Sequence, residues 1–165
     1  MALNTGLLAE LKQETENSRK MLERIPMDKL SWKPHEKSMT IEQLSKHIAN
    51  LPTWISMALL KNELDFAKGY TPVPDFKSTE ELISQLNKNT EEALKALEQF
   101  DDAHFLENWT LRNGDHIILT MKRIAIIRGL AMNHMIHHRG QLSVYLRMLD
   151  IPVPGIYGPS ADEKN

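Results

Sequence analysis

The chain has no cysteine. Disulfides, thiolate metal ligands and a protein thiol nucleophile are therefore excluded, and any thiol chemistry needs a thiol supplied by a substrate. No run of about 18 apolar residues occurs, so no membrane span is expected. Basic charge is not in excess: 20 Lys and Arg stand against 22 Asp and Glu, with a net charge of -2 and a pI near 6.4. That balance argues against an electrostatic footprint for nucleic acid. Met1 to Gly6 lacks the basic and apolar regions of a signal peptide, so a cytoplasmic location is expected. No internal repeat or low-complexity segment is visible. What remains is a 165-residue chain, 41% apolar and 25% charged, the ordinary composition of a globular protein. Its length is expected to make one domain over 1–165, large enough to bury a core.

Helical periodicity dominates. A first helix places Leu7, Leu8, Leu11, Thr15, Ser18, Leu22 and Ile25 on one face and stops at Pro26. The polar gap at Thr15 and Ser18 fits either a polar cavity or an ordinary helix contact. A loop from Met27 to Met39 holds Trp32-Lys33-Pro34. A second helix starts at Thr40, where Gln43 completes a capping-box pattern, and ends near Leu64. Its stripe is Leu44, His47, Ile48, Leu51, Ile55, Ala58 and Leu59. Pro52 should bend it within about a turn of His47. Gly69, Pro72 and Pro74 mark a loop. A third helix follows the Ser78–Glu81 capping box, with Leu82, Leu86, Thr90, Ala93, Leu97 and Phe100 inward. Asn113-Gly114 between β-prone flanks predicts a small two-stranded hairpin. A fourth, long helix is expected from about Thr120 to Leu149, and then a proline- and glycine-rich tail. The fold class is all-α: a four-helix bundle with a two-stranded hairpin between helices three and four. The long connections at 65–77 and 101–119 imply at least one crossover.

Seven histidines divide by position. His35, His104 and His116 fall on a loop, a helix end and the hairpin, where a histidine needs no special role. His47, His134 and His138 each replace an aliphatic residue in a core-facing stripe. His134 and His138 are one helical turn apart, so they share a face. No HExxH glutamate accompanies them, which excludes the zincin protease pattern. Three neutral imidazoles packed together have six ring nitrogens to satisfy, and one divalent metal satisfies three of them. Three His ligands leave coordination positions open, as in catalytic rather than structural sites. His137 lies about 100° around the helix from His138 and is not counted as a ligand. Gly140 fits either a close approach beside His138 or simple tolerance. Gln141 and Tyr145 continue the ligand face, as supporting groups or, for Tyr145, as core.

His134-Met135-Ile136-His137-His138-Arg139-Gly140-Gln141, with its H-x-x-x-H-R-G-Q pattern, resembles the DinB family, the DNA-damage-inducible-type metal-binding bundles. Trp32-Lys33-Pro34, Met39-Thr40-Ile41 and His47-Ile48 resemble that family's loop and second helix, and Pro154-Gly155-Ile156-Tyr157-Gly158 its usual ending. The resemblance covers nearly the whole chain. It implies that His47, His134 and His138 carry the metal, typically zinc or nickel. It also implies up-down-down-up connectivity and, often, a homodimer. Relatives in the superfamily include thiol transferases that use bacillithiol and a mycothiol-dependent isomerase. The family name records induction by DNA damage and does not imply DNA binding.

The leading expectation is a metalloprotein that activates a small-molecule thiol or a water for transfer to an electrophile. The alternatives are a metal-dependent hydrolase and a non-catalytic metal-binding or stress-response interaction protein.

Overall fold

A computed structural model describes residues 3–69 and 73–163. The expectations that touch Met1, Ala2 and Pro72 lie outside the described residues. The first helix, α1, runs Leu3–Leu22. The second is interrupted: α2 spans Ile41–Asn50 and α3 spans Thr53–Leu60, with Leu51 and Pro52 between them. A third long helix, α4, covers Thr79–Gln99. The last helical stretch has three parts. A short α5 (Arg123–Ile126) runs into a π turn (Ile127–Met132) and on into α6 (Asn133–Met148). The described residues also form three strands: β1 (Glu63–Asp65), β2 (Asn108–Asn113) and β3 (His116–Lys122).

The helix starts follow the sequence chemistry. Thr40 caps α2 reciprocally: its Oγ1 accepts the Gln43 amide at 3.2 Å, and Gln43 Oε1 accepts the Thr40 amide at 2.9 Å. At α4 only half of the box forms. Ser78 Oγ accepts the Glu81 amide at 3.3 Å, whereas the Glu81 carboxylate reaches past the cap to the Lys77 amide at 2.7 Å. Pro52 has no amide hydrogen, and the helical bonding restarts after it, with the Ile55 amide on the Pro52 carbonyl at 3.0 Å.

Three boundaries differ from the sequence reading. The second helix ends at Leu60, not near Leu64, because residues 63–65 form β1. The last helix begins at Arg123, not Thr120, because β3 extends to Lys122. The expected two-stranded hairpin is part of a three-stranded sheet in the order β1-β2-β3, with β1 parallel and β3 antiparallel to β2. The turn residues are Gly114 and Asp115 rather than Asn113 and Gly114, and Gly114 takes the left-handed φ of 60°. Asp65 ties the third strand on, its carboxylate accepting the Gly114 and Ala67 amides at 2.9 and 3.0 Å. Such a sheet is marginal alone. Trp109, fully buried, pins it to α3 through the Met57 carbonyl at 3.3 Å and an edge contact with Trp54, ring centroids 6.4 Å apart.

Side-chain contacts give the levels at which the helices meet. Between α1 and α4, Thr15 meets Thr90 at 3.2 Å and Arg19 meets Asn87 at 2.6 Å. The amide of Leu3 donates to Asp102 beyond the end of α4. Between α1 and the last helix, Glu10 pairs with Arg128 and Glu14 with Arg139. Along α2–α3 and the last helix, Trp32 packs on Tyr145, His47 on His134, and the Ala58 carbonyl accepts from Arg123. Pro52 and the π turn therefore face each other across the bundle, and α3 packs directly on that turn. The core between the helices is aliphatic, with Leu11, Leu22, Leu44, Ile48, Leu86, Leu97, Ile127 and Leu142 all fully buried. No helix of the described residues is long and apolar enough to cross a membrane.

Candidate metal centre

α2 and α6 carry the three inward histidines to one point. His47, near the end of α2, packs edge-on against His134 and His138, with ring centroids 4.9 and 4.7 Å away. The i, i+4 spacing stacks His134 and His138 on one face of α6, with centroids 4.5 Å apart. The Nε2 atoms converge. His134 Nε2 lies 3.4 Å from His47 Nε2 and 2.8 Å from His138 Nε2, and one nitrogen from each ring lies within 4.8 Å of the others.

The outer nitrogens explain what the inner ones offer. His138 Nδ1 donates to the side-chain oxygen of Gln141 at 2.7 Å, and His134 Nδ1 lies 3.4 Å from the Leu130 carbonyl oxygen. A neutral imidazole has one N–H and one lone pair. With its Nδ1 hydrogen directed outward, neutral His138 presents its Nε2 lone pair to the centre, where His134 Nε2 stands 2.8 Å from it. Burial, and then the charges of His138 and His134, push the His47 pKa down to about 4. Burial also lowers His138, partly offset by its bond to Gln141. Both rings are thus neutral at neutral pH, the form that binds metal.

This donor set fits a divalent ion. At the ordinary Zn–N length of about 2.0–2.1 Å, two tetrahedral nitrogens stand about 3.3 Å apart. The His47–His134 separation of 3.4 Å already matches, and the His134–His138 pair needs only to open slightly. Among the described residues, the three ring nitrogens form the cluster and no carboxylate belongs to it.

The other sequence candidates separate cleanly. His35, His104, His116 and His137 are exposed, and His104 pairs with Glu107 at 2.5 Å. Gln141 is the partner of His138. Tyr145 is buried core, its ring edge-on to Trp32 at 5.6 Å. Gly140 meets nothing that a Cβ would approach within 4 Å, so no close packing requires glycine there. Thr15 and Ser18 are buried helix-contact residues. A cavity of about 450 Å³ between the outer face of α6 and the tail, lined in part by Ile136, Ser143 and Ile156, includes none of the three histidines.

One set of residues was missed. Arg139 and Glu14, 2% and 5% exposed, form an ion pair at 2.6 Å behind the site. The guanidinium also donates to the Glu14 carbonyl at 3.1 Å and to Ser18 Oγ at 3.2 Å. The Tyr157 hydroxyl closes the network, accepting from Arg139 at 2.5 Å and donating to Glu14 at 2.7 Å. A spacing signal for it existed. Leu7, Leu11, Glu14, Ser18, Met21 and Ile25 recur at alternating steps of four and three, which puts Glu14 on a core position.

The chain is similar to known proteins in sequence and in fold. The model of the DinB family matches residues 1–165. The protein YjoA of Bacillus subtilis strain 168 is 31% identical over 128 residues, covering 77% of this chain and 78% of its own. A second protein of that strain, YrdA, is 50% identical over 32 residues, 19% of each chain. The crystal structure of a DinB-like protein from Bacillus cereus ATCC 10987 superposes with a TM-score of 0.72 at 27% identity, over 93% of this chain and 97% of that one. The crystal structure of YjoA superposes with a TM-score of 0.67 at 24% identity, over 89% and 95%. The chain belongs to the DinB family.

Proposed function

We propose that His47, His134 and His138 hold a divalent metal ion, zinc or nickel, through their Nε2 atoms. We propose further that the centre activates a small-molecule thiol for transfer to an electrophile. The observation that carries this reading is the convergence of one nitrogen from each of the three rings to within 4.8 Å of one another. A bound divalent ion supplies Lewis acidity that lowers the pKa of a thiol or water. The chain's own residues do the rest. Three His ligands leave room for an incoming group. Gln141 holds His138 in the tautomer that leaves Nε2 free to bind. The chain has no cysteine, so the thiol is a cosubstrate. Activation of water is the second reading. That reading calls for a carboxylate or a neutral His near the metal as general base, and among the described residues the cluster itself holds no carboxylate.

The proposal extends to the assembly. The contact levels Glu10–Arg128 and Glu14–Arg139 support a parallel α1 and α6, and Thr15–Thr90 with Arg19–Asn87 an antiparallel α1 and α4. Together these support an up-down-down-up bundle as one domain. We place it in the cytoplasm as a homodimer, without nucleic acid or membrane partners, on composition and family resemblance. Elemental analysis of untagged protein tests the centre. Wild type should carry close to one metal per chain and His134→Ala essentially none. Equal metal in both would sink the reading. A screen of thiols against electrophiles, beside ester and phosphoester substrates, separates the two chemistries. Light scattering tests the dimer.

A further inference from the structure

β3 is an edge of the sheet, and among the described residues no strand pairs with its far side. The neighbouring bonds show which groups are free. The Thr110 amide donates to the Asn62 carbonyl, on the β1 side, at 3.2 Å. Thr110 is therefore turned away from β3, and Thr120 opposite it is turned away from β2, as in a non-hydrogen-bonded antiparallel pair. The Thr120 amide and carbonyl point off the edge. β3 also carries one extra residue against β2, opposite the Leu111–Arg112 step. Such a bulge bends the strand and interrupts its pairing, so the regular part of the free edge is 119–122.

The side chains at this edge are apolar. Ile117, Ile118 and Met121 are 57, 45 and 43% exposed. Met121 lies opposite Trp109, and Leu119 opposite Leu111. Paired residues share a side of the sheet, so Leu119 and Met121 belong to the face that packs on the helices. Met121 is uncovered because the sheet stops at β3. An exposed apolar edge of this kind is a template for another strand. β3 itself fits that template. Antiparallel pairing about a two-fold axis at Thr120 sets Leu119 opposite the partner's Met121, and Ile118 opposite the apolar stem of the partner's Lys122. The same pairing lets Thr120 exchange both free backbone groups with the partner's Thr120. It sets the Asp115 end of one strand beside the Lys122 end of the other, whereas a parallel sense would stack like charge on like. Asp115 is held only by Arg112, at 3.9 Å, and Lys122 has no ion pair among the described residues. We infer that a second copy of the chain docks here, β3 against β3, making one six-stranded sheet across the two-fold axis. This rests on the homodimer reading above and names its surface.

The lack of cysteine makes the test direct. Cα atoms of a hydrogen-bonded antiparallel pair stand about 5.5 Å apart, within disulfide reach. Thr120→Cys oxidised with diamide should therefore link two chains. Val144→Cys, at a position 56% exposed on the outer face of α6, should not. Sedimentation of untagged protein at micromolar concentration supplies the second measurement. Met121→Glu sets a charge against the partner's Leu119 and should weaken the dimer about tenfold or more, with helical circular dichroism retained. Val144→Glu should leave it unchanged. A dimer that Met121→Glu does not weaken would overturn the inference and leave the dimer reading standing. So would Val144→Cys linking as readily as Thr120→Cys, a result that stands even if Met121→Glu does not fold. A wild type that sediments only as monomer would sink the dimer reading itself, and this surface with it.

Discussion

Glu14→Ala should be among the most damaging single substitutions in α1. The change removes a carboxylate that is 5% exposed and leaves the Arg139 guanidinium, 2% exposed, without its counter-ion. Breaking a buried pair in this way costs about 3–5 kcal/mol, because one charge stays buried and uncompensated. The low end applies, since the Glu14 carbonyl, Ser18 Oγ and the Tyr157 hydroxyl still accept from Arg139. For a domain of this size each kcal/mol moves the melting temperature by about 2–4 °C, so about 3 kcal/mol predicts a fall of about 6–12 °C. Urea titration should show the same loss as a lower midpoint with an unchanged slope. Tyr157→Phe deletes only one neutral partner and should cost about 1 kcal/mol. The double variant Glu14→Leu with Arg139→Met removes both charges and should recover most of the loss. A melting temperature of Glu14→Ala within about 2 °C of wild type would refute the argument. So would a double variant no better than the single one.

Acidification should destabilise the metal-free protein between about pH 6.5 and pH 4. Free histidine takes up its proton near 6.5, while folded His47 resists until about 4, so the unfolded state binds more protons in that window. Chelated wild type melted from pH 8 to pH 4 should show a plateau above the window and a decline through it, flattened in His47→Leu; a rise on acidification would contradict the burial argument. Chelation at neutral pH should lower the melting temperature and leave the helical signal intact, because a ligand bound only to the native state adds about 2.7 kcal/mol at 100 times its Kd. Loss of the helical signal at room temperature, in chelated wild type or in His138→Ala, would mean that the metal is structural.

The helices were legible because their apolar faces repeat with helical period, and α2 and α4 because they also start on side-chain caps whose chemistry is local. The three histidines were legible for the same reason, as polar interruptions of stripes that must face inward. β1 was not. Three residues, Glu63–Asp65, are too few for a period-two pattern, and their pairing partner lies in β2, at Thr110–Arg112. The π turn was not legible either, since one residue absorbed inside a helix leaves the stripes on both sides intact. Glu14 was hidden by choice of stripe. Thr15 beside it completes an equally regular apolar face, and only the tertiary partner decides between them. Thr15 meets Thr90 on α4, while Glu14 meets Arg139 on α6, so the two residues serve different neighbours.

The four residues His138-Arg139-Gly140-Gln141 show how one helical turn divides such duties. Successive positions point about 100° apart, so neighbours in sequence address different elements. His138 faces α2 and the other two histidines. Arg139 turns to α1 and the tail, where Glu14 and Tyr157 receive it. Gly140 faces outward with nothing near it. Gln141, three residues after His138, returns to the same side and holds its Nδ1. The ion pair of Arg139 fixes the rotation of α6 against α1, and that rotation aims His138 at His47. A substitution at Glu14 therefore reaches the centre through the helix axis, whereas one at Gln141 reaches it through the ring. The first should lower stability and metal affinity together, the second metal affinity alone.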